Sequence, residues 1–280
     1  MSLELTLLLL FAAVMHAVWN AVVKASRDPL VELATLNLAG GIVCLPLLPA
    51  VGFPGLASAP YLLGNMLCHS AYYAFLLHSY SAGGLSLVYP IARGAAPLLV
   101  AGASVAILGE SLGWKAVVGI VLIGASVVSL ALSGGTRYFQ FRAVLFSLAT
   151  GASIAAYTLV DGAGAREARS AFSYIVCLFI LDSFILLPAL YVRRNGIAVA
   201  RILSHWKTGF LSGGLAVAAY GIAVWGMTRA PIALVAALRE TSVIAAAIIG
   251  ALFLGEPFGR YRVLAAAGVA LGIALLRIGG

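Results

Sequence analysis

The feature that most constrains this chain is a series of long apolar runs joined by short polar connections. Each run holds about 20 residues, the length that an α-helix needs to cross the hydrocarbon core of a bilayer. The ten runs are 3–23, 31–51, 60–80, 85–108, 113–132, 142–161, 171–192, 206–228, 231–254 and 261–278. Because a chain in lipid must satisfy its backbone hydrogen bonds internally, the sequence predicts an all-α integral membrane protein with ten transmembrane helices.

The composition agrees with this fold class and argues against several others. Hydrophobic residues make up 63% of the 280 residues and charged residues only 9%, whereas soluble domains carry about 25% charged residues. A soluble enzyme, a nucleic-acid-binding protein and a disordered chain are therefore not expected. The net charge of +8 comes mostly from Lys and Arg residues between the apolar runs, which is typical of membrane-flanking anchors. The three cysteines lie inside apolar runs, and their odd number argues against a disulfide framework.

An internal repeat relates the two halves of the chain. A shift of 146 residues places Arg93 on Arg239 and the Leu-Gly-Glu tripeptide at 108–110 on the one at 254–256. Each half contains five predicted helices, and this odd number inverts the second half relative to the first. Inverted repeats of this kind are the architecture of many secondary transporters. The two predicted repeats are 1–134 and 135–280.

Three kinds of short segment carry a resemblance to a known family. They are Ala17-Val18-Trp19-Asn20, Tyr89-Pro90-Ile91-Ala92-Arg93-Gly94 and the two Leu-Gly-Glu tripeptides. With these motifs the chain resembles the drug/metabolite transporter superfamily, and within it the ten-helix EamA-type exporters. The resemblance covers nearly the whole chain and implies a monomeric, multi-pass basket of helices in a bacterial inner membrane. It also implies a central cavity lined mainly by the first, third, fourth, sixth, eighth and ninth helices.

The orientation in the membrane is predicted differently by two arguments. Connections on the side of the two termini carry five Lys and Arg residues, and those on the opposite side carry ten. The positive-inside rule therefore predicts termini outside the cytoplasm. The family resemblance implies cytoplasmic termini, and we adopt that orientation as the expectation.

Four charged residues lie inside the predicted spans, namely Arg93, Asp182, Arg239 and Glu240. A charge at mid-membrane costs about 2.5–3.5 kcal/mol on insertion scales, so each needs a partner or a wet cavity. One interpretation is that Arg93 or Arg239 binds a solute carboxylate and Glu240 binds an ammonium group. The alternative is that these side chains brace helices by bonding backbone carbonyls or each other. Repeat symmetry favours bracing for the arginines, whereas Glu240 breaks the symmetry. For Asp182 we expect a structural hydrogen bond further from the cavity.

Aromatic and polar side chains at helical spacing complete the candidate site. On the third helix Asn65, His69, Tyr72, Tyr73, Leu76 and Tyr80 recur at intervals of three and four residues and so share a face. Aromatic walls with a few polar groups suit a small zwitterion with an apolar side chain. The predicted solute-binding residues are Trp19, Asn20, His69, Tyr73, Tyr89, Arg93, Tyr157, Tyr220, Trp225, Arg239 and Glu240.

Glycines and prolines predict how some helices end, bend and pack. Each Leu-Gly-Glu tripeptide would end a helix, with Gly as a left-handed cap and Glu accepting from the free N–H groups of the next helix. Pro90 and Pro97 are expected to bend the fourth helix, and Pro231 to open a straighter ninth helix. Two GxxxG motifs, at 209–213 and 268–272, predict close packing within the chain, with a dimer face as the alternative.

The sequence therefore predicts a secondary transporter rather than an enzyme. No phosphate-binding loop, HExxH zinc pair or G-x-S-x-G nucleophile motif occurs, so we expect no cofactor and no metal. The predicted function is export of amino acids or similar small metabolites by alternating access. The expected partners are a small solute, a zwitterionic amino acid first of all, and the lipid bilayer. The alternatives are drug efflux, a phosphorylated-sugar or nucleotide-sugar antiporter, and a membrane-embedded enzyme.

Overall fold

The computed structural model describes residues 1–26, 28–83, 85–132, 141–193, 199–253 and 260–279. Within them the regular structure is helical. The α-helices are α1 (Leu3–Ala25), α2 (Pro29–Cys44), α3 (Leu48–Val51), α4 (Ala59–Ala82), α5 (Leu85–Leu108), α6 (Trp114–Leu132), α7 (Phe141–Glu167), α8 (Ala171–Asp182), α9 (Leu186–Arg193), α10 (Val199–Ser204), α11 (Trp206–Met227), α12 (Ile232–Arg239), α13 (Ser242–Phe253) and α14 (Arg260–Gly279). Short 3₁₀ turns at Leu45–Leu47 and Leu56–Ser58 extend α2 and precede α4.

The helices confirm an all-α, multi-pass membrane protein. Among the described residues, 6 helical segments are long and apolar enough to cross a membrane, and the shorter apolar helices are Trp114–Leu130 and Val263–Ile278. Every predicted apolar run falls on helical structure. The count of ten spans and the repeat boundaries at 134 and 135 stay predictions.

Two predicted helices are interrupted rather than continuous. The run 171–192 stops at Asp182 and resumes at Leu186, and the run 231–254 stops at Arg239 and resumes at Ser242. The expectation of a straight ninth helix is therefore wrong, whereas α5 continues unbroken through both of its prolines.

Side-chain hydroxyls bond to backbone carbonyls at both interruptions. Ser183 donates to the carbonyl of Ile180 at 2.6 Å, and Thr241 donates to the carbonyl of Leu238 at 2.7 Å. Such bonds compete with the backbone ladder. Next to Thr241 the backbone hydrogen bonds tighten to i→i−3 spacing, as in the bond from the Glu240 N–H to the carbonyl of Ala237 at 3.2 Å. Each apolar run is divided into two short helices there.

Glycines allow the close helix contacts that build the bundle. A Cβ placed on Gly213 would lie 2.8 Å from the carbonyl oxygen of Leu36, and one on Gly272 would lie 2.9 Å from that of Gly119. Both GxxxG motifs thus pack α11 against α2 and α14 against α6, which confirms their packing role within the chain. The monomeric state itself stays a prediction.

The bundle is closed at the end where α1 begins, which we call the terminal end. All eight residues of α12, Ile232–Arg239, are buried there. The seven apolar residues before Arg239 pack in one cluster with Leu5, Leu9 and Met227. Since α12 ends in Arg239, this packing holds a charged side chain at the inner limit of the closed region.

Candidate functional site

Buried polar side chains converge in the interior of the bundle. Six of them come from five helices, α4, α5, α7, α8 and α12, and from the residue that follows α12. They are Asn65, Arg93, Asp161, Asp182, Arg239 and Glu240. Because burying charge in a bilayer is costly, the partners of these groups show which charges are compensated within the protein and which are not.

Arg93 and Glu240 form a buried ion pair. The Arg93 Nε and the Glu240 Oε2 are 3.0 Å apart, with only 7% and 5% of the side chains exposed. Arg93 also donates to the Ser242 hydroxyl at 3.3 Å. This arrangement is the bracing alternative of the sequence analysis, because it ties α5 to the junction of α12 and α13. A role of Glu240 in solute binding stays a prediction.

Arg239 differs from Arg93 in lacking a carboxylate of its own. Among the described residues no Asp or Glu forms an ion pair with it, and its guanidinium lies 4.6 Å from the centroid of the Tyr220 ring. With Glu240 paired to Arg93, two buried arginines share one carboxylate. Arg239 lines a small cavity of about 10 Å³ together with His16 and Tyr220.

Asp161 is a fully buried carboxylate that sequence reasoning did not select. The Asn65 amide donates to both of its oxygens at 2.8 Å, the Tyr174 hydroxyl donates at 3.0 Å, and the Tyr220 hydroxyl donates as well. The predicted run ended at this residue, whereas α7 continues to Glu167. The helix extension moves Asp161 from an expected membrane edge into the interior.

His69 and Asp182 form a second charged contact beside an aromatic cluster. The His69 Nδ1 lies 2.9 Å from the Asp182 Oδ2. The His69 ring centroid is 4.3 Å from that of Tyr157 and 6.5 Å from that of Tyr220. We expected Asp182 to lie far from the candidate site. The structure shows instead that its carboxylate contacts His69, a candidate site residue.

Two further predicted residues, Tyr73 and Asn20, have hydrogen bonds of their own. Tyr73 accepts a hydrogen bond from the Asn37 amide at 3.2 Å, and its ring centroid lies 6.3 Å from that of His69. On α1, the Asn20 amide donates to the His16 carbonyl at 2.7 Å. Tyr73 therefore belongs to the His69 cluster, whereas the Asn20 bond stays within its own helix.

Trp19, Tyr89 and Trp225 lie around the cluster rather than in it. The Trp19 ring packs edge-on against His16 at 4.8 Å between centroids. Tyr89 packs against the apolar cluster of α12. Trp225 lies near the end of α11, with the Arg229 guanidinium 5.5 Å from its ring. None of these three lines the Arg239 cavity, but Trp19 contacts His16, which does.

A polar contact closes the terminal end of the bundle. Arg166, near the end of α7, donates to the carbonyl of Met227 at 2.8 Å and to Glu110 at 2.7 Å. Glu110 in turn accepts from the backbone N–H of Ile232 at 2.9 Å. Gly109 has a φ of 66°, which confirms the left-handed cap. The Glu caps α12 rather than the next helix in sequence; the second Gly-Glu pair, at 255–256, lies outside the described residues.

Metal ligation has no candidate within the residues that the structure describes. No three His, Cys, Asp or Glu side chains come together there as a ligand set. The polar groups of the interior pair with one another or with aromatic side chains instead.

Comparisons with known proteins place this arrangement in a family. Residues 141–278 match the model of the EamA-like transporter family. One crystal structure, described only as that of a protein, has a TM-score of 0.77 and 17% sequence identity over 98% of this chain and 96% of its own. No curated protein matches the sequence. At that identity the crystal structure shows a shared fold over nearly the whole length. The chain belongs to the EamA-like transporters of the drug/metabolite transporter superfamily and is a multi-pass membrane transporter.

Proposed function

We propose that this protein is a secondary transporter of small zwitterionic amino acids and that Arg239 binds the solute carboxylate. The observation that carries the proposal is the charge state of the interior around Arg239. Two buried arginines share one carboxylate there, and Arg239 contacts a tyrosine face instead of an anion.

The energetic argument favours an anionic guest beside Arg239. A buried cation needs compensation worth several kcal/mol, and a cation–π contact supplies about 2 kcal/mol when desolvated. A solute carboxylate would provide the missing counter-charge through paired N–H···O bonds, which guanidinium groups form particularly well. The aromatic rings of Tyr157 and Tyr220 give such a solute an apolar wall.

The backbone supports an alternating-access mechanism. Discontinuous helices near the membrane midplane are typical of transporter binding sites, and both interruptions of this chain carry charged residues, Asp182 on one and Arg239 with Glu240 on the other. The closed terminal end and the buried cavity fit a conformation that has no passage on that side. We propose export from a bacterial cytoplasm, with both termini cytoplasmic, as the direction of transport.

A phosphorylated sugar fits the site less well. A phosphate dianion would need several cations in the cavity. The three lysines lie elsewhere: Lys24 is exposed in the last turn of α1, and Lys115 and Lys207 lie near helix starts beside Trp114 and Trp206. One arginine without its own carboxylate matches one carboxylate group.

Flux measurements on purified protein in liposomes test the proposal. Vesicles loaded with labelled L-phenylalanine should release it down its gradient, and Arg239→Gln should reduce the initial rate by about tenfold or more, since a lost charge-assisted bond is worth about 1.5–3 kcal/mol. The matched control is Arg277→Gln, the same change at an exposed residue of α14, which should keep the wild-type rate. Wild-type flux by folded Arg239→Gln would contradict the role of Arg239.

A further inference from the structure

A zwitterion also needs an acceptor for its positive end, and of the three carboxylates that contact residues of the candidate site, Asp161, Asp182 and Glu240, two are already engaged. Glu240 is paired with Arg93. Asp161 accepts from Asn65, Tyr174 and Tyr220 and is fully buried behind them. Asp182 is the remaining carboxylate.

One of the two carboxylate oxygens of Asp182 accepts no hydrogen bond from the described residues. Its Oδ2 contacts the His69 ring nitrogen at 2.9 Å, whereas its Oδ1 is buried and has no hydrogen-bond donor among the described residues. The residue is only 8% exposed. Since a buried acceptor without a donor is costly, this oxygen is poised for a donor supplied from outside the chain.

The helix end around Asp182 adds to the attraction for a cation. Asp182 is the last residue of α8, and the carbonyl groups at a helix C-terminus carry a partial negative charge. The carboxylate of Asp182 therefore lies in a negative electrostatic potential. In interrupted membrane helices such C-terminal ends are where cations bind.

Aromatic faces and open space lie near this carboxylate. The rings of Tyr72 and Tyr73 each lie 6.3 Å from His69, and aromatic faces attract ammonium groups. A groove of about 280 Å³ lies between α4 and the start of α9; Tyr73 and Ile185 line it, whereas His69 and Asp182 do not. Its other lining residues are mostly apolar, so it suits a small amine with an apolar body.

Arg93 and Glu240 pair with each other, and the Arg239 guanidinium lies over the Tyr220 ring, whereas Asp182 contacts His69, which packs against Tyr157. We infer that Asp182 binds the ammonium group of the solute, and that the protein selects zwitterions with an apolar side chain. The inference rests on the proposed function, in which Arg239 binds the carboxylate.

Three probes that differ only in their charged groups separate the two roles. L-Phenylalanine carries both charges, 3-phenylpropionate only the carboxylate, and phenethylamine only the ammonium group. Binding of each probe to the full chain in lipid nanodiscs is measured by calorimetry. Asp182→Asn should weaken phenylalanine and phenethylamine by about tenfold or more and leave phenylpropionate unchanged. Arg239→Gln should weaken phenylalanine and phenylpropionate and leave phenethylamine unchanged.

Glu32→Gln is the matched control, because Glu32 is another buried carboxylate that lies on α2 and accepts from Thr208. It should leave the affinities of all three probes unchanged. Asp182→Glu is the second variant in case Asp182→Asn does not fold. It keeps the charge and should keep the preference for phenethylamine over phenylpropionate at lower affinity.

Each outcome decides one of the two roles. Equal weakening of phenylpropionate and phenethylamine in Asp182→Asn, or a wild-type protein that does not bind phenethylamine, overturns the inference. Loss of preference in Asp182→Glu overturns it as well. If Asp182→Asn behaves as expected while Arg239→Gln changes nothing, the ammonium site stands and the proposed carboxylate site fails.

Discussion

Helix α5 and its repeat counterpart, the pair α12 and α13, use equivalent positions for different purposes. In α5 the residue after Arg93 is Gly94, which packs against α6: a Cβ there would lie 2.6 Å from the Val128 side chain and 2.7 Å from the Gly124 carbonyl oxygen. In the counterpart the residue after Arg239 is Glu240. One copy of the position serves helix packing, and the other carries a charge.

This difference shows how a duplicated arginine acquires two environments. Among the described residues one carboxylate, that of Glu240, forms an ion pair with either of these two arginines, and its partner is Arg93. Arg93 thereby becomes a bracing residue, and Arg239 is left beside Tyr220. The interruption after Arg239 places the carboxylate at a helix junction, where its direction is not fixed by a regular helix.

The largest expected effect comes from removing the shared carboxylate. Glu240→Ala leaves the Arg93 guanidinium buried without a counter-charge, so the free energy of unfolding should fall by about 3–5 kcal/mol. Chemical unfolding in detergent measures this change. The double variant Arg93→Met with Glu240→Ala should recover most of the loss, because it removes both charges. A single variant as stable as the double variant would contradict the pairing.

A smaller loss of stability is expected when Gly94, the packing residue at the position equivalent to Glu240, is changed. In Gly94→Ala the added methyl group would meet the backbone of α6, and overpacking of this kind costs about 1–3 kcal/mol. Gly102→Ala is the control on the same helix, because a methyl group added there would have nothing within 4 Å, and it should unfold like the wild type. Equal thermal midpoints for the two variants would show that position 94 does not require glycine.

The smallest expected effect concerns the interruption itself. Thr241→Val removes the hydroxyl that bonds the Leu238 carbonyl, a bond worth about 0.5–1.5 kcal/mol. The α12–α13 junction should then become more regular, and backbone amides after residue 241 should exchange hydrogen more slowly. Thr228→Val, which removes the same kind of bond to Trp225 at the end of α11, should leave that exchange unchanged. Faster exchange in Thr241→Val would contradict the argument.

Helix positions and the special status of the arginines were predictable from the sequence. Apolar runs of about 20 residues mark membrane helices strongly, and a repeated intramembrane arginine is rare enough to identify the repeat. The pairing of Arg93 with Glu240 was only one of two alternatives. A choice between them needed the relative placement of α5 and α12, which no local pattern contains.

The sequence could not locate the interruptions or the role of Asp161. Ser and Thr are common in membrane helices, so Ser183 and Thr241 gave no signal that their hydroxyls would replace backbone bonds. Pro90 and Pro97 do not interrupt α5, because neighbouring groups in a membrane bundle can satisfy the backbone groups that a proline frees; the bend that they predict stays a prediction. Asp161 was missed because its helix runs six residues past the predicted end, to Glu167.

The contact between Arg166 and Glu110 has a consequence for the rate of transport. A passage at the terminal end requires the simultaneous loss of bonds from Arg166 to Met227 and Glu110 and from Ile232 to Glu110. If the protein alternates between two conformations as proposed, the rupture of these bonds adds to the activation barrier for opening the terminal end. The turnover number and its temperature dependence would then depend on these bonds at the terminal end, whereas selectivity for the solute would depend on the residues of the interior.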